Sequence, residues 1–191
     1  SAIELAMQSL SLLLLLEFIE EPSDSELRLQ VDHMLVQRFR WLRFWPSRYS
    51  SANNHRIAEL VALIAIAERL VDASRLSARY QVELLEHLRL QVLADGINAE
   101  RASDYHLYVF DLVCTLRALC PELIHSSQFD DILQTQATAT DLLLNLCGTW
   151  PSFGDTDHAA ILSTLVPVED RAGFLCKLRG VETVGPTVTR V

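Results

Sequence analysis

Apolar residues recur every three or four positions through most of the chain, which is the period of an α-helix. The clearest stripe includes Leu27, Val31, Leu35 and Phe39, and it ends before Pro46 because the residue preceding a proline leaves the α region. The same period predicts six long helices, at about residues 1–20, 23–45, 53–73, 77–93, 102–119 and 127–147.

Several short signals mark the ends of these helices. Ser1 and Glu4 have the spacing of a capping box, as do Ser23 and Glu26. Gly148 is placed to end the sixth helix in a left-handed conformation. Two short helices are predicted near 157–165 and 169–178, and residues 180–191 are predicted to be irregular or extended, with a strand possible over 184–191.

The pattern predicts an all-α fold. Sustained alternation of apolar and polar residues, the mark of a half-buried strand, does not occur before the tail. Helices of this length joined by short loops pair as antiparallel hairpins. Three hairpins in sequence predict part of an incomplete (α/α) toroid over residues 1–179, followed by an irregular tail or linker over 180–191.

Composition excludes several classes of protein. Half of the 191 residues are hydrophobic and 21% are charged, which excludes intrinsic disorder. The net charge is −9 and the chain has no basic run, so a nucleic-acid partner is not expected. No apolar run approaches the roughly 20 residues that a bilayer span needs. Neither the cysteines nor the histidines have metal-ligand spacing, and no cofactor motif occurs, so no metal and no cofactor are predicted.

Residues 49–59 place four polar side chains at a loop-to-helix junction: Asn53, Asn54, His55 and Arg56. A helix N-terminus presents free N–H groups and the positive end of a dipole, so an anion binds there readily. The alternative is structural. In that interpretation Asn53 or Asn54 is only an N-cap, and His55 is an exposed residue of the first turn.

Residues 95–108 form a second such segment, leading from the Asp95-Gly96 turn into the fifth helix. Tyr105, His106 and Tyr108 are candidates for proton transfer. The alternative here makes the two tyrosines interfacial aromatic residues with one hydrated end, and makes Ser103 the cap of the helix.

The two segments together resemble signatures of the heparinase II/III-like polysaccharide lyases. Residues 51–59 resemble S-x-N-N-H-x-x-x-E, and residues 95–106 resemble D-G-x-x-x-E-Q-S-x-x-Y-H in the same order and at a fitting separation. Residues 1–16 resemble the family's upstream helix, and residues 152–157 resemble its later G-D-x-D loop. The chain departs from the second signature at Arg101 and Ala102, where the family usually has Gln-Ser.

The resemblance implies cleavage of a uronate-containing polysaccharide by β-elimination. It implies that Asn54 and His55 neutralise the uronate carboxylate, that His55 could also act as a base, and that Tyr105 is the base or the acid. Glu59 would orient His55 or simply face solvent. The remaining candidates, implied to bind substrate or support the site, are Asn53, Arg56, Glu100, Arg101 and His106.

The resemblance also implies that family members join a helical toroid to a β-sandwich. This chain would then be the toroid portion of a parent enzyme and inactive by itself. Arg56 or Arg101 would supply the positive charge that a tyrosine base needs, since a free tyrosine has a pKa of about 10. An arginine cluster at Arg38, Arg40, Arg43, Arg48 and Arg56 would line a cleft for the anionic polysaccharide, or form a solvated helix face.

A second hypothesis is a non-catalytic helical scaffold that binds a partner protein or a glycan. An incomplete toroid leaves apolar faces without neighbours, so either hypothesis predicts an exposed apolar patch or self-association. The sequence does not determine the compartment. A periplasmic or cytoplasmic bacterial protein is the best interpretation.

Overall fold

The computed structural model describes residues 1–18, 25–48, 53–70, 74–121, 123, 127–155, 159–164, 166–167 and 170–178. These residues contain seven α-helices and no strand; their only β pairing is an isolated bridge between Val92 and Asn98. The helices are α1 (Ala2–Phe18), α2 (Ser25–Phe44), α3 (Asn54–Arg69), α4 (Ser74–Gln91), α5 (Ser103–Leu119), α6 (Ser127–Cys147) and α7 (Arg171–Leu178).

The predicted all-α class is confirmed, with small shifts at the helix ends. The third helix ends at Arg69, where Leu70 turns to an extended conformation (φ −88°, ψ 122°), and the fourth begins at Ser74, earlier than predicted. Gly148 has φ 76° directly after α6, as predicted. Both Ser23 and the tail 180–191 lie outside the described residues, so the second capping box and the strand stay predictions.

The helices pack in two rows. Contacts join α1 to α3, α3 to α5 and α5 to α7, while α2, α4 and α6 pack against this first row. The pairs α1–α2, α3–α4 and α5–α6 therefore form hairpins, and the odd-numbered helices lie side by side.

The two central helices of the first row, α3 and α5, are largely buried because their sequences are apolar on more than one side. In α3, 13 of the 16 residues are buried, and α1, α2, α4 and α5 all contact it. A helix that is apolar all round is found inside a protein rather than on its surface. The core therefore follows the first row, and the starts of α3 and α5 lie next to each other.

The second row leaves apolar side chains exposed, above all on α2. Leu29 is 70% exposed, Trp41 43% and Phe44 69%, although α2 also buries Leu35 and Leu42 completely. Scattered exposed apolar residues are common, but several large ones on one helix are typical of an interaction surface. Self-association through this surface stays a prediction.

The segment 159–164 forms turns, so the helix predicted across it is wrong for these residues. The cause is Asp111, a buried carboxylate in the middle of α5. Its two oxygens accept hydrogen bonds from the amides of Ile161 (2.9 Å), Leu162 (3.0 Å) and Ser163 (3.4 Å), and from the Ser163 hydroxyl (2.9 Å). Backbone groups bound to Asp111 are not available to an i→i−4 ladder.

Burial raises the pKa of Asp111, and the hydrogen bonds from residues 161–163 lower it in part. We predict that Asp111→Asn lowers the free energy of unfolding by about 1–3 kcal/mol, because an amide cannot accept on both atoms and leaves buried N–H groups unpaired. Urea denaturation followed by circular dichroism measures the change.

The matched control is Asp131→Asn, at an exposed aspartate on α6, which should change stability by less than about 0.5 kcal/mol. Equal effects of the two substitutions would show that Asp111 does not hold the 159–164 segment.

Candidate functional site

The two polar segments found in the sequence meet at one end of the first row. Asn53 Nδ2 donates a hydrogen bond of 3.0 Å to Glu100 Oε1, although 47 residues separate them. The third and fifth helices therefore start at the same end, as antiparallel hairpins in sequence require. This contact brings together the residues on either side of it, so Asn54 and His55 lie at the same end as Tyr105.

The loop 152–155 also joins this end. The Ser103 amide and hydroxyl both donate to the Phe153 carbonyl (3.0 and 3.2 Å), and the Phe153 amide donates back to the Ser103 hydroxyl (3.1 Å). Gly154 has φ +75°, and a Cβ atom there would lie 2.7 Å from Ala102 Cβ. Ser103 thus fastens a loop instead of capping α5, whose N-cap is Ala102.

Asn53 occupies the N-cap position of α3, but its side chain makes no cap hydrogen bond and is directed to Glu100 instead. Asn54 is buried, and His55 and Tyr105 are half-buried. The side chains of Asn54 and His55 make no hydrogen bond in the described part of the chain. Polar groups at an uncapped helix N-terminus suit an anionic ligand.

Arg56 takes part in a buried ion cluster. Its Nη1 donates to Glu59 Oε2 at 3.0 Å, and its Nη2 donates to Glu83 Oε1 at 2.6 Å. Glu59 is 0% exposed and also accepts hydrogen bonds from the Ser47 amide (3.0 Å) and hydroxyl. A solvent-facing Glu59 is therefore wrong, and its carboxylate binds Ser47 and Arg56 rather than the ring of His55.

His106 points into the core. It is 0% exposed, its Nε2 lies 2.8 Å from Thr140 Oγ1, and its ring stacks on Trp150 at 5.8 Å between centroids. Burial lowers the pKa of His106 to about 4, so the ring is neutral at pH 7. A fully buried ring does not touch a ligand at the surface, so His106 is not positioned to bind substrate directly.

Arg101 differs from Arg56 because it faces solvent. Its side chain is 66% exposed, with only a 3.6 Å ion pair to Asp95. It is also the only described non-glycine residue with positive φ, at 52°, a conformation that costs free energy and is concentrated at functional sites. The turn before it is fixed by Asn98, whose side-chain oxygen accepts from the Glu100 amide at 2.9 Å.

Sequence reasoning missed the partners of the buried charges. Glu83 and Ser47 complete the cluster of Arg56, and Asp111 holds the 159–164 segment. The sequence does indicate that Asp111 is buried, since it is a single acid within the apolar run 107–114. Ser47 and Glu83 had none, because their role depends on which helices become neighbours.

This chain matches no known protein family, no curated protein and no solved structure. Among the described residues, no group of three or more His, Cys, Asp and Glu could hold a metal ion. None of the helices in that part of the chain is long and apolar enough to cross a membrane. Function must therefore be inferred from the geometry of the junction between α3 and α5.

The buried ion cluster gives a stability prediction. Arg56→Met should lower the free energy of unfolding by about 3–5 kcal/mol, because it leaves the carboxylate of Glu59 buried without its cation. Adding Glu59→Gln should restore part of the loss by removing that charge. Arg101→Met is the matched control and should change little, since an exposed ion pair contributes about 0–1 kcal/mol. Equal denaturation midpoints for Arg56→Met and Arg101→Met would contradict a structural role for Arg56.

The lowered pKa of His106 predicts that the free energy of unfolding depends on pH. Its pKa in the folded state, about 4, lies below the ordinary value of 6.5, so the unfolded chain binds the proton more tightly. The stability that the neutral ring contributes is complete above pH 6.5 and is lost as the pH falls toward 4, by about 3 kcal/mol. His106→Gln, which does not titrate, should flatten the difference in unfolding free energy between pH 7 and pH 4.

Thr140→Val serves as the control. It removes the hydroxyl that faces His106 Nε2 but leaves the ring able to titrate, so stability should fall at every pH and its pH dependence should persist. A His106→Gln protein with the same pH dependence as the wild type would show that the ring is not buried in its neutral form.

Proposed function

We propose that the starts of α3 and α5 form a binding cleft for an acidic sugar, and that this chain is the helical toroid portion of a uronate-polysaccharide lyase. The hydrogen bond between Asn53 and Glu100 carries the proposal, because it joins the two segments that resemble the lyase signatures. The fastening of Phe153 to Ser103 supports it, because it adds the third resembling segment to the same end. The two-row packing of hairpins is the arrangement that a toroid portion requires.

In this proposal the start of α3 binds the uronate carboxylate. Asn54 and His55 supply side-chain donors there, and the dipole of a largely buried helix adds partial positive charge. Neutralising the carboxylate makes the proton on C5 of the sugar more acidic. Neither side chain is committed to another described residue, so both are available to a ligand.

Tyr105 transfers a proton in the proposed reaction. A base removes the C5 proton, the electron pair forms the C4–C5 double bond, the C4–oxygen bond breaks, and an acid protonates the leaving oxygen. As a base, Tyr105 needs a neighbouring cation to lower its pKa. Arg56 is neutralised by two carboxylates, so Arg101 is the candidate for this role.

The second candidate function is a helical scaffold that binds a partner protein or a glycan without cleaving it. Two of the candidate site residues favour this alternative, since Arg56 is held in an ion cluster and His106 is fully buried. The exposed Trp41 and Phe44 of α2 would then belong to a binding surface.

Substitution of Tyr105 tests the lyase proposal. In the full-length protein, Tyr105→Phe should lower kcat about 10²–10⁴-fold, because it removes the proton-transferring oxygen and keeps the ring. His55→Ala should lower the rate partly through weaker substrate binding. The assay follows the ultraviolet absorbance of the unsaturated uronate released from alginate or glycosaminoglycans. Tyr80→Phe, on the α4 face that packs against Phe39, is the control and should leave the rate unchanged.

Full activity in Tyr105→Phe would remove this tyrosine from the reaction. Binding of an oligouronate to the helical chain, with the largest NMR shift changes at Asn54 and His55 but no cleavage by the full-length protein, would favour the scaffold. Absence of both binding and cleavage would contradict an acidic-sugar site at this junction.

A further inference from the structure

A groove of about 630 Å³ lies between α1 and α2, and the turn at 160–161 forms its third wall. Its lining is mostly apolar, with Met7, Leu12, Leu15, Met34 and Ile161 among its residues. This volume is within the range of small-molecule binding sites, roughly 300–1,000 Å³. None of the described lining residues belongs to the junction of α3 and α5, so the groove is separate from the proposed acidic-sugar site.

Among the described residues that line this groove, only Arg38 is charged. Within the described part of the chain, its Nη1 is buried without a hydrogen-bond partner and its guanidinium forms no ion pair. The other terminal nitrogen, Nη2, makes only a long contact of 3.4 Å to Gln8 Oε1. A guanidinium that lines an apolar groove without an anionic partner is complementary to an anionic ligand.

The rest of the groove suits an alkyl chain. Met7 and Met34 are flexible thioethers that adapt to an irregular apolar shape. The hydroxyl of Ser11 donates to the Met7 carbonyl at 3.0 Å, so its proton is already committed within α1. The groove therefore combines one cation with apolar walls, which is complementary to a molecule with one negative head and an apolar tail.

The walls are held in place before any ligand arrives. Asp111 binds the amide of Ile161 at 2.9 Å, and the Tyr108 hydroxyl lies 3.1 Å from Met7 Sδ. A site that is already formed does not lose affinity to the ordering of its walls.

We propose that the groove between α1 and α2 binds one amphipathic monocarboxylate, whose carboxylate pairs with Arg38 and whose alkyl chain lies along Met7, Leu12 and Met34. The charge of Arg38 selects the head, and the apolar walls select the tail. This site goes beyond the proposed lyase reaction and does not depend on it.

The experiment titrates the protein with decanoate below its micellar concentration, by calorimetry and by NMR shifts of the methionine methyl groups. Decanoate should bind with a stoichiometry of one. Decanamide, which has a similar tail and a neutral head, should bind roughly ten- to a hundredfold more weakly, because its carbonyl can accept a hydrogen bond from Arg38 but cannot form an ion pair with it. Decyltrimethylammonium should bind more weakly still.

Three variants assign the site. Arg38→Met keeps an apolar side chain of similar length and should abolish the preference for decanoate over decanamide. Arg40→Met removes an exposed arginine of the same helix and should leave both affinities unchanged. Met34→Trp should fill the groove and prevent binding of either molecule while Arg38 stays in place, so it tests the site even if Arg38→Met fails to fold.

Saturable decanoate binding that Arg38→Met and Met34→Trp both reduce as stated would support the proposal. Equal affinities for the two heads in the wild type, or decanoate binding unchanged in Arg38→Met, would overturn it. Self-association that Met34→Trp abolishes, without any decanoate binding, would assign the groove to a second copy of the chain and would also overturn it.

Discussion

The burial of α3 between four other helices sets the main physical constraint on this chain. The apolar side chains of α3 can be buried without leaving polar groups unpaired, but its first two turns also carry Arg56 and Glu59 into the same interior. A carboxylate that is 0% exposed must be paired and hydrogen-bonded, because an unpaired buried charge costs much free energy. The ion pair with Arg56 and the hydrogen bonds from Ser47 meet that requirement, and they also fix where the chain enters α3.

Asp111 in α5 is a second buried carboxylate that needs hydrogen-bond partners. It too is a helix carboxylate in the interior, and it too accepts hydrogen bonds from backbone amides far away in the sequence, at residues 161–163. The two buried acids therefore position loops as well as helices. Glu59 holds the segment that precedes the candidate site, and Asp111 holds one wall of the groove between α1 and α2.

The sequence predicted the helices better than the roles of the polar residues. Apolar periodicity and the prolines depend on local physics, so they predicted the six long helices. The antiparallel pairing of those helices then brings Asn53 and Glu100 to the same end. The pairing of Arg56 with Glu83 depends on the contact between α3 and α4, which no local pattern contains. The short helix predicted near 160 failed for the same reason, because its amides are bound by a distant aspartate.

The arginines show that residues close together in the sequence can have very different environments in the fold. Five arginines within residues 38–56 suggest one basic surface, yet in the structure they lie in three different environments. Arg56 enters the core, Arg38 lines the groove beside α1, and Arg40, Arg43 and Arg48 face solvent. A protein with a net charge of −9 thus isolates one cation beside an apolar groove and neutralises another with two acids. Because a guanidinium with carboxylate partners attracts an anion weakly and one without them attracts it strongly, Arg38 has the greater capacity to bind a negative ligand, although the sequence motif contains Arg56.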